Sequence, residues 1–277
     1  MAAGHHQTGT DRRMSAEVRI DDDFELAVAD QGAKFRTLYV RVLPAENALS
    51  DDRPAHEWRD RALRGCLDSQ VAWGMKLLEG DGVPRDPEAA ARWFNMAALR
   101  GHADALNMLG RCYEFGWGVP ADGREALRCY GRAADQGHAW GEFNLASFYA
   151  QGRFVPSDPQ RALTLLVRSA RRGNPKAMNM IGRYREEQGV PRARDRSAAL
   201  WYRWAAERGC FRGEFHYGRY LVAEGRTADG IRWFVTSLSH APQDFRDDAI
   251  AYLGAHPDAQ LRALVAGVEM RTPGSRQ

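Results

Sequence analysis

The sequence predicts an all-α fold: a right-handed α-solenoid of about five tandem helix–loop–helix repeats closed by capping helices. Three observations predict it. A glycine recurs every 36 residues, at Gly65, Gly101, Gly137, Gly173 and Gly209. Each of these glycines opens a block with the same internal order of residue types. Within the blocks, apolar residues return at four-residue intervals, as on one face of a helix.

From the N-terminus, residues 1–16 are expected to be a disordered tail, with Met14 an alternative start. Residues 17–50 are expected to cap the array. The stretch FRTLYVRVL within them suits a strand or a buried helix, and periodicity does not arbitrate so short a run. The solenoid itself is expected over 51–240. It opens on DDRPAHEWRDRALRG, a lone second helix with Trp58 and Ala62 near the repeat columns.

In each full block the first helix carries an apolar stripe, such as Ala105, Leu109 and Tyr113. A column of small residues follows: Gly74, Gly110, Ala146, Gly182 and Gly218. Glycine within a helix costs about 1 kcal/mol relative to alanine, so the column implies a close approach of two helix backbones. The loops GDGVP, GWGVP and RFVP end the first helix through glycine and proline. Asp86 followed by Pro87 fits the start of the second helix. That helix carries Ala90, Trp93, Phe94 and Ala97–Ala98, matched by Ala126, Cys129, Tyr130 and Ala133–Ala134 and by Ala198, Trp201, Tyr202 and Ala205–Ala206. Block four shifts its Gly-Val-Pro loop by one residue, and block five lacks about four loop residues, judged by Trp233 against Trp201. Over 241–277, QDFRDDAIAYLG and HPDAQLRALVAGVEM read as two amphipathic capping helices before a short tail, with Asp258 capping the second.

The stretches ALNMLGRCYEFGWGV and AARWFNMAALRG resemble the Sel1-like repeat, a relative of the tetratricopeptide repeat. The resemblance covers about residues 51–240 and implies an interaction module. Some secreted Sel1-like proteins carry a cysteine pair in every repeat and are linked to β-lactam binding. Cys66, Cys112, Cys129 and Cys210 do not supply that framework, so this part of the resemblance does not carry over.

Composition narrows the function classes. The formal charge is +3 and acidic and basic residues interleave, so neither nucleic acid nor an anionic membrane is an expected partner. Lysine occurs only at Lys34, Lys76 and Lys176, and the remaining basic residues are arginines. This reads either as codon bias or as selection for bidentate contacts to carboxylates. There is no apolar run of signal-peptide or membrane-spanning length, and a cytoplasmic protein with reduced thiols is expected. No nucleophile elbow, P-loop or HExxH is present, so no catalytic residue, metal or cofactor is expected. His102 and His138 occupy one repeat column and are not a metal pair, and a bond between Cys112 and Cys129 is not expected.

At 100° per residue, repeat positions 5, 9 and 13 of the first helix point inward and positions 4, 7 and 11 point away. The outward set contains Val71, Asn107, Phe143, Asn179 and Phe215 at position 7, Met75, Arg111, Ser147, Arg183 and Arg219 at position 11, and Trp140 and Lys176 at position 4. The candidate partner-binding residues on a concave face are therefore Asn107, Arg111, Trp140, Phe143, Asn179, Arg183, Phe215 and Arg219. An Asn amide both donates and accepts and can hold a peptide backbone; an Arg fork holds a carboxylate. The competing reading is that the polar residues are merely solvated and the phenylalanines pack on the neighbouring helix. The expected function is a scaffold or adaptor binding a protein or peptide segment, acidic in character. A Sel1-type enzyme or ligand-binding protein would need paired cysteines or a buried reaction centre. An RNA-binding array would need basic residues gathered on one face.

Overall fold

In the computed structural model, residues 54–187 and 196–269 are described, and all lie within one compact unit, Val42–Gln277. They form thirteen helices and, among the described residues, no strand. The lone helix α1 spans Ala55–Leu63. Five pairs follow: α2 (Leu67–Glu79) with α3 (Pro87–Leu99), α4 (Ala103–Phe115) with α5 (Gly123–Asp135), and α6 (Ala139–Gln151) with α7 (Pro159–Arg171). The last two are α8 (Pro175–Glu187) with α9 (Arg196–Ala206), and α10 (Phe211–Ala223) with α11 (Thr227–His240). The helices α12 (Gln243–Gly254) and α13 (Ala259–Glu269) complete the chain's C-terminal cap. The expectations for residues 1–50, FRTLYVRVL among them, fall outside the described residues. From α1 to α11 each helix packs on its neighbours in sequence, α13 packs on α12 and α11, α4 also touches α6, and α8 touches α10, so the first helices of the repeats form one layer. The chain is thus the all-α repeat solenoid that the 36-residue period implies.

Capping chemistry sets the helix starts. In the second helices, Asp86, Asp122 and Asp158 accept hydrogen bonds from first-turn amides. In the first helices of repeats two to four the residue after the repeat glycine has this role. His102 Nδ1 accepts from Ala105 N, His138 Nδ1 from Gly141 N, and Asn174 Oδ1 from Lys176 N and Ala177 N. Because Nδ1 accepts, the ring donates from Nε2, to Asp68 for His102 (2.9 Å) and to Asp104 for His138 (2.7 Å). The two histidines thus link repeats two and three each to the repeat before it.

The small-residue column has a different cause from the one expected. A Cβ at Gly74 would lie 2.6 Å from the Phe94 ring, and one at Gly110 would lie 2.7 Å from the Tyr130 ring. Gly182 meets Tyr202 and Gly218 meets Phe234 in the same way. An aromatic ring of the second helix lies against each glycine, and at Gly218 the backbone of the second helix does so too, with Gly230 O 3.1 Å from the place of a Cβ. Repeat three, with Ala146, has Leu166 at the ring's position. Close backbone approach occurs at Gly141, where a Cβ would stand 3.2 Å from Ala134 N.

Arginine serves the stacking. Arg132 Nη2 donates to Ala98 O and Arg168 Nη2 to Ala134 O, carbonyls in the last turn of the preceding second helix. Arg168 and Arg172 also ion-pair with the fully buried Glu142, at 2.8 and 3.3 Å. Two apolar clusters lie towards the ends of the described helices. Trp58 and Ala62 of α1 are buried in the first core. Phe215, Phe234, Leu238, Ala249, Leu253 and Leu261 form a second core under α12 and α13. Asp258 Oδ1 accepts from Gln260 N at the start of α13.

Candidate functional site

Across the layer of first helices runs an open cavity of about 640 Å³, lined by side chains of α2, α4, α6 and α8. Val71 and Met75 come from α2; Asn107, Met108 and Arg111 from α4; Trp140, Phe143, Asn144 and Ser147 from α6; Lys176 from α8. Trp140 and Phe143 stand edge to face, with ring centroids 6.1 Å apart, and Trp140 remains 39% exposed. The amides of Asn107 and Asn144 join two neighbouring repeats through an Asn144 Nδ2 to Asn107 Oδ1 bond of 2.9 Å.

Of the residues singled out in the sequence, Asn107, Arg111, Trp140 and Phe143 line this cavity. Asn179, Arg183, Phe215 and Arg219 are not among its lining residues. Position 7 does not point to solvent as expected, since Asn107, Asn179 and Phe215 are all buried. The phase calculation treated the helix as covered on one side only. In the array each first helix is also flanked by the first helices of adjacent repeats, and position 7 meets them. Phe215 belongs to the C-terminal core, with ring centroids 5.1 Å from Phe234 and 5.5 Å from Phe245. Arg183 is paired with Glu187 and Arg219 with Glu186.

The same motif recurs two repeats apart. Tyr130 donates to Glu114 (2.8 Å), as Tyr202 does to Glu186 (2.7 Å). In the first copy the cation on the carboxylate is Arg153, from the loop, at 2.8 Å. In the second it is Arg219, from the next first helix. Arg111 donates to Met108 Sδ at 3.8 Å, and its guanidinium lies 4.8 Å from the Trp117 ring centroid. Lys176 Nζ likewise lies 5.4 Å from the Trp140 ring centroid. Burial and the Glu114 bond push the Tyr130 hydroxyl well above its ordinary pKa, so it remains a donor. The His138 bond holds the Asp104 carboxyl below its ordinary range. Sequence reasoning put Met75 in the outward column without singling it out, and missed Met108, Asn144 and Arg153. Met108 and Asn144 share position 8, which a repeat-by-repeat reading of that column would have found; Arg153 lies in a loop, where helical phase has no meaning.

A family model described as Sel1 repeat matches residues 67–102, 103–138, 141–174 and 175–210, just over half of the chain. The chain belongs to the Sel1 repeat family. Sel1 repeat proteins mediate protein–protein interaction, and the repeat is a scaffold fold. Among solved structures, the chain is similar to a Sel1 repeat protein from Oxalobacter formigenes, at 23% identity and a TM-score of 0.62, over 78% of this chain and 99% of that one. It is also similar to the immunity protein Pa5087 from Pseudomonas aeruginosa, at 18% identity and a TM-score of 0.51, over 74% and 81% of the respective chains. Both likenesses concern the Sel1 fold. No curated protein matches the chain. Among the described residues, none of the helices is long and apolar enough to cross a membrane, and no cluster of three metal-ligating side chains occurs.

Proposed function

We propose that this Sel1 repeat protein is a scaffold or adaptor that holds a segment of another protein in the cavity across the first helices of repeats one to four. One observation carries the reading: an open cavity of about 640 Å³ whose lining includes the part-exposed Trp140 and the cations Arg111 and Lys176. Aromatic and arginine side chains gathered in one concavity are the usual anchors of a protein interface. The lining mixes Arg111, Arg153 and Lys176 with Asp104 and Glu114. That mixture suits a protein segment better than a nucleic-acid backbone, which favours an unbroken basic face. The reading assigns no catalytic residue and no cofactor. It places the protein in the cytoplasm, a setting that suits its four free cysteines.

The test is capture of binding partners from the native host by wild type, by Arg111→Glu/Lys176→Glu, and by Arg124→Glu, which changes charge outside the cavity. A partner retained by wild type and Arg124→Glu but lost from the double variant is expected. Equal capture by all three, at unchanged thermal midpoints, would remove the cavity from consideration.

A further inference from the structure

Resting on that reading, the chemistry of the lining narrows the occupant. We propose that the segment held there is extended and carries a carboxylate next, on the same face, to a large aromatic or branched apolar side chain. Arg111 and Lys176 carry the argument for the carboxylate. Each is poised over an indole, Arg111 over Trp117 and Lys176 over Trp140, and no carboxylate of the described residues bonds either one. Glu114 and Asp104, the lining acids, are taken up by Arg153 with Tyr130 and by His138. A cation held by an aromatic face keeps its place yet stays open to an anion.

The apolar requirement comes from Trp140, Phe143, Met75 and Met108, which face the same space. Methionine adapts its shape to an incoming side chain, and an edge-to-face aromatic pair offers a firm wall. The extended conformation follows from the amide pair. With Asn144 Nδ2 bonded to Asn107 Oδ1, the NH2 group of Asn107 and the carbonyl of Asn144 are left. Exchanging O and N in both amides leaves the same pair of groups. One donor and one acceptor side by side match the carbonyl and amide of a peptide backbone. In an extended chain, alternate side chains share a face about 7 Å apart, which brings carboxylate and apolar group to the cavity together.

The probe is a dye-labelled peptide, Gly-Ser-Phe-Ser-Glu-Ser-Leu-Gly with blocked ends, titrated into the full chain by fluorescence polarisation. Replacing its Glu by Gln, or its Phe by Ala, is expected to weaken binding about tenfold, which corresponds to about 1.4 kcal/mol. Arg111→Glu and Lys176→Glu should weaken the parent peptide by a similar factor, leave the Gln version unaffected, and be unlike Arg124→Glu, which should change nothing. Equal binding of parent and Gln peptides, or no binding of any of them, overturns the proposed chemistry. The cavity reading fails separately, when Arg111→Glu/Lys176→Glu keeps its partners in the capture experiment.

Discussion

At the scale of single residues, the small column and its aromatic partner form a size-matched pair. Gly110→Leu should be severely destabilising, because the Tyr130 ring already fills the space where a Cβ would go. A sharper check uses Gly74 and Phe94. Gly74→Ala should cost about 1–3 kcal/mol by overpacking, less the gain in helix propensity. Combined with Phe94→Leu it reproduces the Ala146 and Leu166 pair of repeat three. The two changes together should therefore cost less than the sum of their separate effects in urea denaturation, with a coupling of about 1 kcal/mol or more. Additive effects would show that ring and glycine are not matched. His216 supplies a pH signature. It is stacked on Tyr202, accepts at Nδ1 from Arg219, and burial depresses its pKa from 6.5 to about 4. Because the folded chain resists a proton that the unfolded chain takes up, the stability due to the neutral ring is complete above pH 6.5 and is lost as pH falls towards 4. The loss is on the order of 3 kcal/mol. Denaturation midpoints of wild type and His216→Phe at pH 7.5 and pH 5 should diverge, wild type falling further. Parallel declines would mean that His216 does not govern the acid response.

At the scale of elements, loops and helix starts changed together. In repeat two, Gly118 has φ +70° and packs against the Pro87 carbonyl at the start of α3, where a Cβ would come within 2.0 Å of the oxygen. One repeat later, Phe154 stands in the glycine position at φ +60°, and Gly123 stands in the proline position. The Phe154 ring occupies the space of a Cβ on Gly123, 1.9 Å from its nearest atom. Gly123→Pro alone should therefore destabilise, whereas Gly123→Pro/Phe154→Gly restores the pairing of the earlier repeat and should regain most of the loss by thermal melting. Failure of the double variant to recover would refute this exchange. Much of this level was legible in the sequence. The period gave the helix pairs, Asp86 gave the start of a second helix, and Trp58 and the QDFRDDAIAYLG stretch marked the ends. The histidine bonds to Asp68 and Asp104 and the Arg132 and Arg168 bonds to carbonyls were not legible, because they span two repeats and leave no trace in local pattern. The candidate site was half legible for the same reason. Helical phase located Arg111 and Trp140 but took Asn179 and Phe215 as exposed, since a single helix does not report what its neighbours cover.

At the scale of the whole molecule, the array divides into a stretch that opens its first helices to a cavity and a stretch that closes over its own. In repeats four and five, Arg183 and Arg219 are bonded to glutamates and Phe215 is sealed under the C-terminal helices. Charge reversal at Arg219 is accordingly expected to lower the thermal midpoint by setting like charges on Glu186, whereas reversal at Arg111 should leave it near wild type. Equal midpoints would break this division. The binding role of the open stretch is tested most directly by site-specific photocrosslinking in the native host. A benzophenone side chain is placed at Gln151, on the exposed rim of the cavity, and in a second version at Arg128, exposed on α5. We expect a discrete crosslinked partner from position 151 that is absent from position 128 and disappears with Arg111→Glu/Lys176→Glu. A partner crosslinked from position 128 but not from 151 would contradict the assignment and move the binding surface to the second helices.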